Sequence, residues 1–275
     1  MKKIIVPIDF SQHSENALKI AAQLAKKHNC QLIIMHMLEF SESILSASNS
    51  QNNEQMRFKL ALAKKKIKTF LNKEYLKGVD ILPVIKRYKI FKEIDLYSKE
   101  LNVDLIVMAA KGNNSKEGIL TGSNTQRVVN QSEIPVLIVK NSDSVAFKKV
   151  ILGTNFSLRT VTTFKKALKL LTILNLDIKL LHVNLKNRGF RSTTEIKEKM
   201  RIFIEEVGDH QVFKNVEFVS DYTVGDGILN YRELVDADVI ASVMTGKIGL
   251  GHFILGNASE DVLNHSPYPI LAFKI

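Results

Sequence analysis

The chain has 275 residues, a length that suits one large domain or two modest ones. Its composition, 45% hydrophobic and 24% charged, excludes a disordered tail, a collagen-like rod and a low-complexity scaffold. The net charge of +11 attracts polyanions and is unevenly shared: residues 1–145 hold 22 Lys and Arg against 14 Asp and Glu, the remainder 17 against 14.

Residues 3–8 form a continuous apolar run, the pattern of a strand buried on both faces. Asp9 cuts the run short and no small-residue cleavage site follows, so this segment does not read as a signal peptide. A helix is predicted over residues 12–28, with Ser11 as N-cap, Glu15 in the first turn and an apolar stripe of Ala17, Leu18, Ala21, Leu24 and Ala25. Cys30, the single cysteine, forms no internal disulfide, fits a reducing cytoplasm and has no His partner nearby in sequence. Further strands are predicted at residues 31–37, 80–86, 103–108 and 134–139, with helices at 54–77, 91–101 and 123–131. Lys64, Lys65, Lys66, Lys68, Lys73 and Lys77 lie along the second helix and read as a solvated face, without the aromatic interleaving of a nucleic-acid binder. No apolar run approaches the roughly 18–20 residues of a membrane span. The expectation is a soluble, cytoplasmic protein with neither nucleic acid nor membrane as partner.

The second half repeats the first. Ile5-Val6-Pro7-Ile8-Asp9-Phe10-Ser11 matches Ile151-Leu152-Gly153-Thr154-Asn155-Phe156-Ser157 at an offset of 146, and Ile34-Met35-His36-Met37 matches Leu180-Leu181-His182-Val183 at the same offset. Val103-Asp104-Leu105-Ile106 matches Ala237-Asp238-Val239-Ile240 at 134, which also aligns Gly112 with Gly246 and Gly122 with Gly256. The difference of 12 places extra residues in the first copy, most of them in the polar stretch from Ser41 to Gln55. Strands of the second copy are predicted at residues 150–153, 177–183, 216–219, 239–243 and 270–273. Two domains follow, residues 1–141 and 147–275, joined near Asn141 to Ser144.

Strands alternating with helices require right-handed crossovers and a parallel sheet covered on both sides. The fold class is therefore α/β, as two doubly wound five-stranded parallel-sheet domains. The apolar strands at residues 136–139 and 270–273 would be open edges, so they are expected to pair the halves as an intramolecular pseudo-dimer. A homodimer of whole chains stays open. Ligands of such sheets lie beyond the strand carboxyl ends where strand order reverses, which selects Asp9-Phe10-Ser11 and residues 109–125.

That second segment reads Ala109-Ala110-Lys111-Gly112, nine residues, then Gly122-Ser123-Asn124-Thr125. Gly112 and Gly122 suit turns with positive φ and close approach of main chain to a ligand. A helix starting after Gly122 presents free N–H groups to an anion, with the hydroxyls of Ser123 and Thr125 as further donors and Lys111, Lys116 and Arg127 as nearby charge. An ordinary helix N-cap accounts for the same residues.

The order of these motifs, present twice, resembles a tandem of universal stress protein domains. The resemblance rests on Pro7-Ile8-Asp9, Met35-His36-Met37, Asp104-Leu105-Ile106-Val107-Met108 running into the glycine loop, and Pro135-Val136-Leu137-Ile138-Val139. It implies an adenine nucleotide alpha hydrolase-like fold, and ATP-binding members of that family carry Gly-x2-Gly-x9-Gly-Ser/Thr. Here Ala109 stands at the first glycine position, with Gly112 and Gly122 retained. By resemblance, Ile8 and Asp9 meet the nucleoside of ATP or ADP and the Met37 backbone lines the adenine slot. Ala109, Gly112, Gly122, Ser123, Asn124 and Thr125 then surround ribose and phosphates, with or without Mg. In the second copy Asn155 replaces the carboxylate, Val183 and Val243 occupy the slot and first glycine positions, and Asn257 follows Gly246 and Gly256. That site is expected to be degenerate and its domain mainly structural.

The reading is a stress-response protein that holds an adenine nucleotide without efficient turnover, through partner proteins that the sequence does not name. No catalytic base stands beside the glycine loop, so at most slow ATP hydrolysis is expected. The alternative is an adaptor that binds no nucleotide. A nucleotidyl-transferring enzyme is disfavoured because Ser11-Gln12-His13-Ser14 supplies no reactive His pair. Gly-x-Ser-x-Gly, Walker-type and Gly-x-Gly-x-x-Gly motifs are missing too. His36 and His182 read as structural histidines, since no cluster with metal-ligand spacing surrounds them, and His252 and His265 as surface or helix residues.

Overall fold

A computed structural model describes residues 1–38, 49–87, 90–111, 122–140, 147–186, 189–244 and 266–275. In the first half the order is β1 (Lys3–Ile8), α1 (Gln12–His28), β2 (Gln31–Leu38), α2 (Asn49–Phe70), β3 (Ile81–Arg87), α3 (Ile90–Glu100), β4 (Leu105–Ala109), α4 (Ser123–Gln131) and β5 (Val136–Val139). The second half continues with β6 (Lys149–Gly153), α5 (Val161–Ile173), β7 (Asp177–Leu185), α6 (Thr193–Val207), β8 (Glu217–Asp221), α7 (Val224–Val235), β9 (Val239–Met244) and β10 (Ile270–Lys274).

All strands join one ten-stranded sheet in the order β3-β2-β1-β4-β5-β10-β9-β6-β7-β8. Within each half the pairing is parallel. At the junction β5 and β10 run antiparallel, with Ile138 opposite Ile270, Leu137 opposite Leu271 and Val136 opposite Ala272. The expected pairing of two apolar edges is what the sheet shows: each covers the backbone groups the other would leave to solvent. The apolar layers on the two faces of the sheet both run across this junction, one including Leu137, Val139, Leu271 and Phe273, the other Val136, Ile138, Ile270 and Ala272. Lys274 adds a bond from Nζ to the Gln131 carbonyl, 3.0 Å, across the halves.

Local signals set several boundaries. Ser11 caps α1 by accepting the Ser14 N–H at 3.1 Å, and Asn29 ends the helix in the left-handed region at φ 52. Tertiary contacts moved others. The second helix was expected over 54–77, but α2 spans Asn49–Phe70 and a short 3-10 turn, Glu74–Leu76, follows. Its hydrogen bonds tighten at Asn72, which bonds Thr69, and Lys73 then turns extended so that Leu76 enters the core at 4% exposure. The extra polar segment of the first copy is thus partly helical from Asn49, while residues 41–48 lie outside the described residues.

The fourth strand starts later than expected, at Leu105, because Asp104 serves another element. Its Oδ2 accepts the N–H groups of Lys2 and Lys3, at 2.6 and 3.0 Å, and clamps the start of β1. Asp238 holds Lys148 and Lys149 the same way, at 2.8 and 2.9 Å. The repeated aspartate of the sequence therefore has a structural origin. Asp104→Ala is expected to cost about 2 kcal/mol by removing the charged acceptor of two N–H groups, that of Lys3 part-buried, measured by urea unfolding.

Candidate functional site

The sheet reverses strand order between β1 and β4, so the first crevice opens above their carboxyl ends. Ile8 lies beside His36 in register, and the pairing of Ile5 with Ile106 sets Ile8 level with Ala109. Ile8, Asp9, Met37 and Ala109 therefore share one rim, with Ile8 and Met37 buried. Asp9 builds the turn leaving β1: its Oδ1 accepts the Ser11 N–H at 3.0 Å and the Ser11 hydroxyl. Between them Phe10 takes the left-handed conformation at φ 65, held by its ring against His36 and Phe70, with centroids 4.4 and 5.5 Å away. His36 Nδ1 bonds the Ile8 carbonyl at 2.9 Å, which fixes the ring to the end of β1.

Across the rim, Ala109 is a strand residue without positive φ, so its methyl group carries no conformational penalty. The glycine loop closes at its base. Ala110 N–H donates to the Val139 carbonyl at 2.8 Å, and Gly122 N–H donates to the Ala110 carbonyl at 2.6 Å. Gly122 has φ −70 and ψ 154, extended backbone that any residue adopts, which corrects the expectation of positive φ there. Thr125, 4% exposed, donates its hydroxyl to the Ala109 carbonyl at 2.9 Å and ties α4 to β4. Asn124 is exposed on the first turn of α4, which starts at Ser123 and holds no acidic residue there. Gly112 and Lys116 lie outside the described residues.

Lys111 and Lys140 leave the tips of β4 and β5 side by side, since Ala109 pairs with Val139. Burial, and secondly the charge of Lys111, lower the Lys140 pKa to about 8. Sequence reasoning missed Lys140, and its only signal was its place directly after an apolar strand. It also missed the left-handed phenylalanine, whose signal was the Asp/Asn-Phe-Ser triplet common to both copies.

The second half preserves the frame and changes its chemistry. Asn155 Oδ1 accepts the Ser157 N–H at 3.0 Å, and Phe156 is left-handed at φ 54, so Asn replaces Asp in the turn while the charge is lost. His182 Nδ1 bonds the Thr154 carbonyl at 2.9 Å, and the Phe156 ring stacks on it at 5.0 Å. Burial holds the His182 pKa below its usual range against the opposing Thr154 bond, and Lys199 lowers it further. A cavity of about 630 Å³ lies at this tip, lined by Asn155, Ser157, His182, Val183, Arg191 and Lys199 among others. Val183 is pressed by α7, where a Cβ on Gly227 would fall 2.7 Å from its Cγ1. Val243 is buried in β9, while Gly246, Gly256, Asn257, His252 and His265 lie outside the described residues.

Other chemistry is sparse among the described residues. Cys30 is buried, with its thiol pKa pushed up by that burial. No group of three or more His, Cys, Asp or Glu side chains is arranged to hold a metal, and no helix is long and apolar enough to cross a membrane.

Two doubly wound halves, joined through their last strands and each with a crevice at its switch point, define a tandem α/β protein of the kind that takes ligands at sheet tips. The universal stress protein family model matches residues 1–140 and again 146–274, and the chain belongs to that family. Universal stress protein MJ0577 of Methanocaldococcus jannaschii is 29% identical over 157 residues, covering 52% of this chain and 97% of that protein. A universal stress protein from Archaeoglobus fulgidus has the same fold, with TM-score 0.67 and 18% identity over 99% of this chain and 98% of that one. A functionally unknown protein, PA1789 from Pseudomonas aeruginosa, matches with TM-score 0.65 and 16% identity over 100% of this chain and 92% of that one.

Proposed function

We propose that the first half binds an adenine nucleotide, ATP or ADP, without efficient turnover, and that the second half is mainly structural, within domains of residues 1–141 and 147–275. The observation that carries this reading is the closure of the glycine loop by Gly122 on Ala110. It sets the start of α4 beside Lys111 and Lys140, on the rim that Asp9 and Ala109 share. Helix N-terminal amides and two cations suit phosphates. Asp9, Met37, Gly112, Ser123 and Asn124 would complete the site as the family motif implies, and magnesium would arrive with the phosphates. Asp9 is engaged by Ser11 and His36 by Ile8, which supports holding over hydrolysis.

Lys140 makes the binding pH-dependent. Its pKa lies at about 8 in the folded chain against 10.5 for an ordinary lysine, so folding releases its proton between those values and stability rises with pH across them. A bound phosphate reverses this by favouring the charged form. ATP affinity is therefore expected to fall as pH rises through about 8, and Lys140→Gln to lower it about tenfold at neutral pH and flatten the profile. Titration calorimetry of the purified chain with ATP measures both. Absence of binding at millimolar nucleotide would favour the adaptor reading, to which the shared backbone bond of the turns at Asp9 and Asn155 lends weight.

A further inference from the structure

The two halves serve as controls for each other, and they differ most on the outer flank of one sheet face. In the second half this flank carries a cluster of rings, of which Phe164, Phe203 and Phe213 are buried and Phe218 is 46% exposed. Phe156, Phe164, Phe203, Phe213 and Phe218 contact one another with centroids 5.1 to 6.4 Å apart. In the first half Phe10 takes the place of Phe156 and packs on Phe70, while two other matching positions carry smaller side chains. Ile85 lies in register with His36 where Phe218 lies in register with His182, and Leu18 on α1 corresponds to Phe164 on α5. The result is a groove of about 1050 Å³ between α2 and the edge strand β3, lined by Leu60, Ile67, Leu71, Pro83 and Ile85.

The charge around the groove differs between halves as well. Lys64 and Lys68, one turn apart and both exposed, line it, with Thr69 and Asn72 as the other polar residues and no Asp or Glu. Helix α2 carries six basic residues against one acidic, whereas α6 carries three against four. From Leu60 to Leu71 the helical rise gives the groove a length of about 16 Å. We propose that this groove binds the acyl chain of a free long-chain carboxylic acid, with Lys64 and Lys68 holding its carboxylate.

An acyl chain suits the lining better than a peptide. A peptide brings an N–H and a C=O per residue, and burying these against Leu, Ile and Pro without partners is costly. Addition of a peptide strand to the edge of β3 is also hindered, because Pro83 offers no N–H to a ladder. Methylenes need no partners, and a single anionic head meets two cations at the rim.

The test is fluorescence titration of the full chain with cis-parinaric acid, a conjugated fatty acid that brightens on burial, below its aggregation concentration. Saturable binding near one equivalent is expected, displaced by palmitic acid and about tenfold less well by hexadecanol, which lacks the charge. Ile85→Phe, which copies the second half, is expected to abolish the signal with an unchanged circular dichroism spectrum. Lys64→Glu with Lys68→Glu, at exposed positions that do not risk the fold, is expected to weaken binding more than about tenfold. ATP titration should be unaffected by either variant, which separates this groove from the nucleotide site. No saturable binding, equal displacement by the alcohol, or full affinity in the lysine variant would overturn the proposal. So would uptake onto anionic vesicles with no competition by free palmitic acid, which would assign the lysines to a membrane surface.

Discussion

Gly122→Val is expected to abolish ATP binding while shifting the melting temperature by no more than the few degrees that about 1 kcal/mol produces. The backbone there, φ −70 and ψ 154, is a region that valine adopts freely, so the substitution introduces no torsional strain. The N–H that closes the loop on Ala110 is retained as well. What changes is the space in front of α4, where a branched side chain would stand in place of a phosphate oxygen and its approach to the helix amides. Calorimetry with ATP and a thermal melt, run on the same preparation, separate the two effects. Retained affinity would move the nucleotide away from this loop; lost affinity with an intact fold would leave the loop as its cradle.

Leu271→Asp is expected to have the largest effect on stability. Leu271 is 1% exposed and faces Leu137 at the centre of the antiparallel junction, in an apolar layer that both halves share. Removing a buried leucine costs about 2–5 kcal/mol, and an unpaired carboxylate in the same place adds several more. Against a typical domain stability of about 5–15 kcal/mol, the sum removes most of the reserve. Urea unfolding of the parent chain should show one cooperative transition, because both apolar layers are continuous across the junction. The variant should unfold at much lower urea or in two steps, one for each half. An unchanged single transition would mean that the halves do not stabilise each other through β5 and β10.

The parts of the fold that were legible in the sequence are those whose signals are local. A serine before an amphipathic run announced α1, and glycine followed by Ser-Asn-Thr announced α4, each with the limits the structure shows. The junction was legible for a different reason: two apolar strands at chain-half ends leave edges that only each other can cover. The limits of α2 and β4 were not legible, since Leu76 ends the first by docking in the core and Asp104 delays the second by capping β1.

The candidate site divides in the same way. Asp9 and Gly122 stood out by residue type and spacing, and the structure gives each a backbone task that residue type alone does not reveal. Thr125 looked like a ligand donor, yet its hydroxyl is directed at Ala109, a partner 16 positions away. Lys140 carried no motif, and acquired its depressed pKa from the burial and the neighbouring charge that strand pairing imposes.

By itself the sequence determined the duplication, the alternation of strands and helices and hence the doubly wound class, because apolar periodicity and repeat offsets are properties of the chain read in order. Only the tertiary structure decided which polar groups face a crevice and which are turned inward to hold it, and where each half leaves a cavity. Those outcomes depend on distances between residues remote in sequence: a hydroxyl goes to the carbonyl it can reach, and a cavity remains where packed neighbours are too small to fill it.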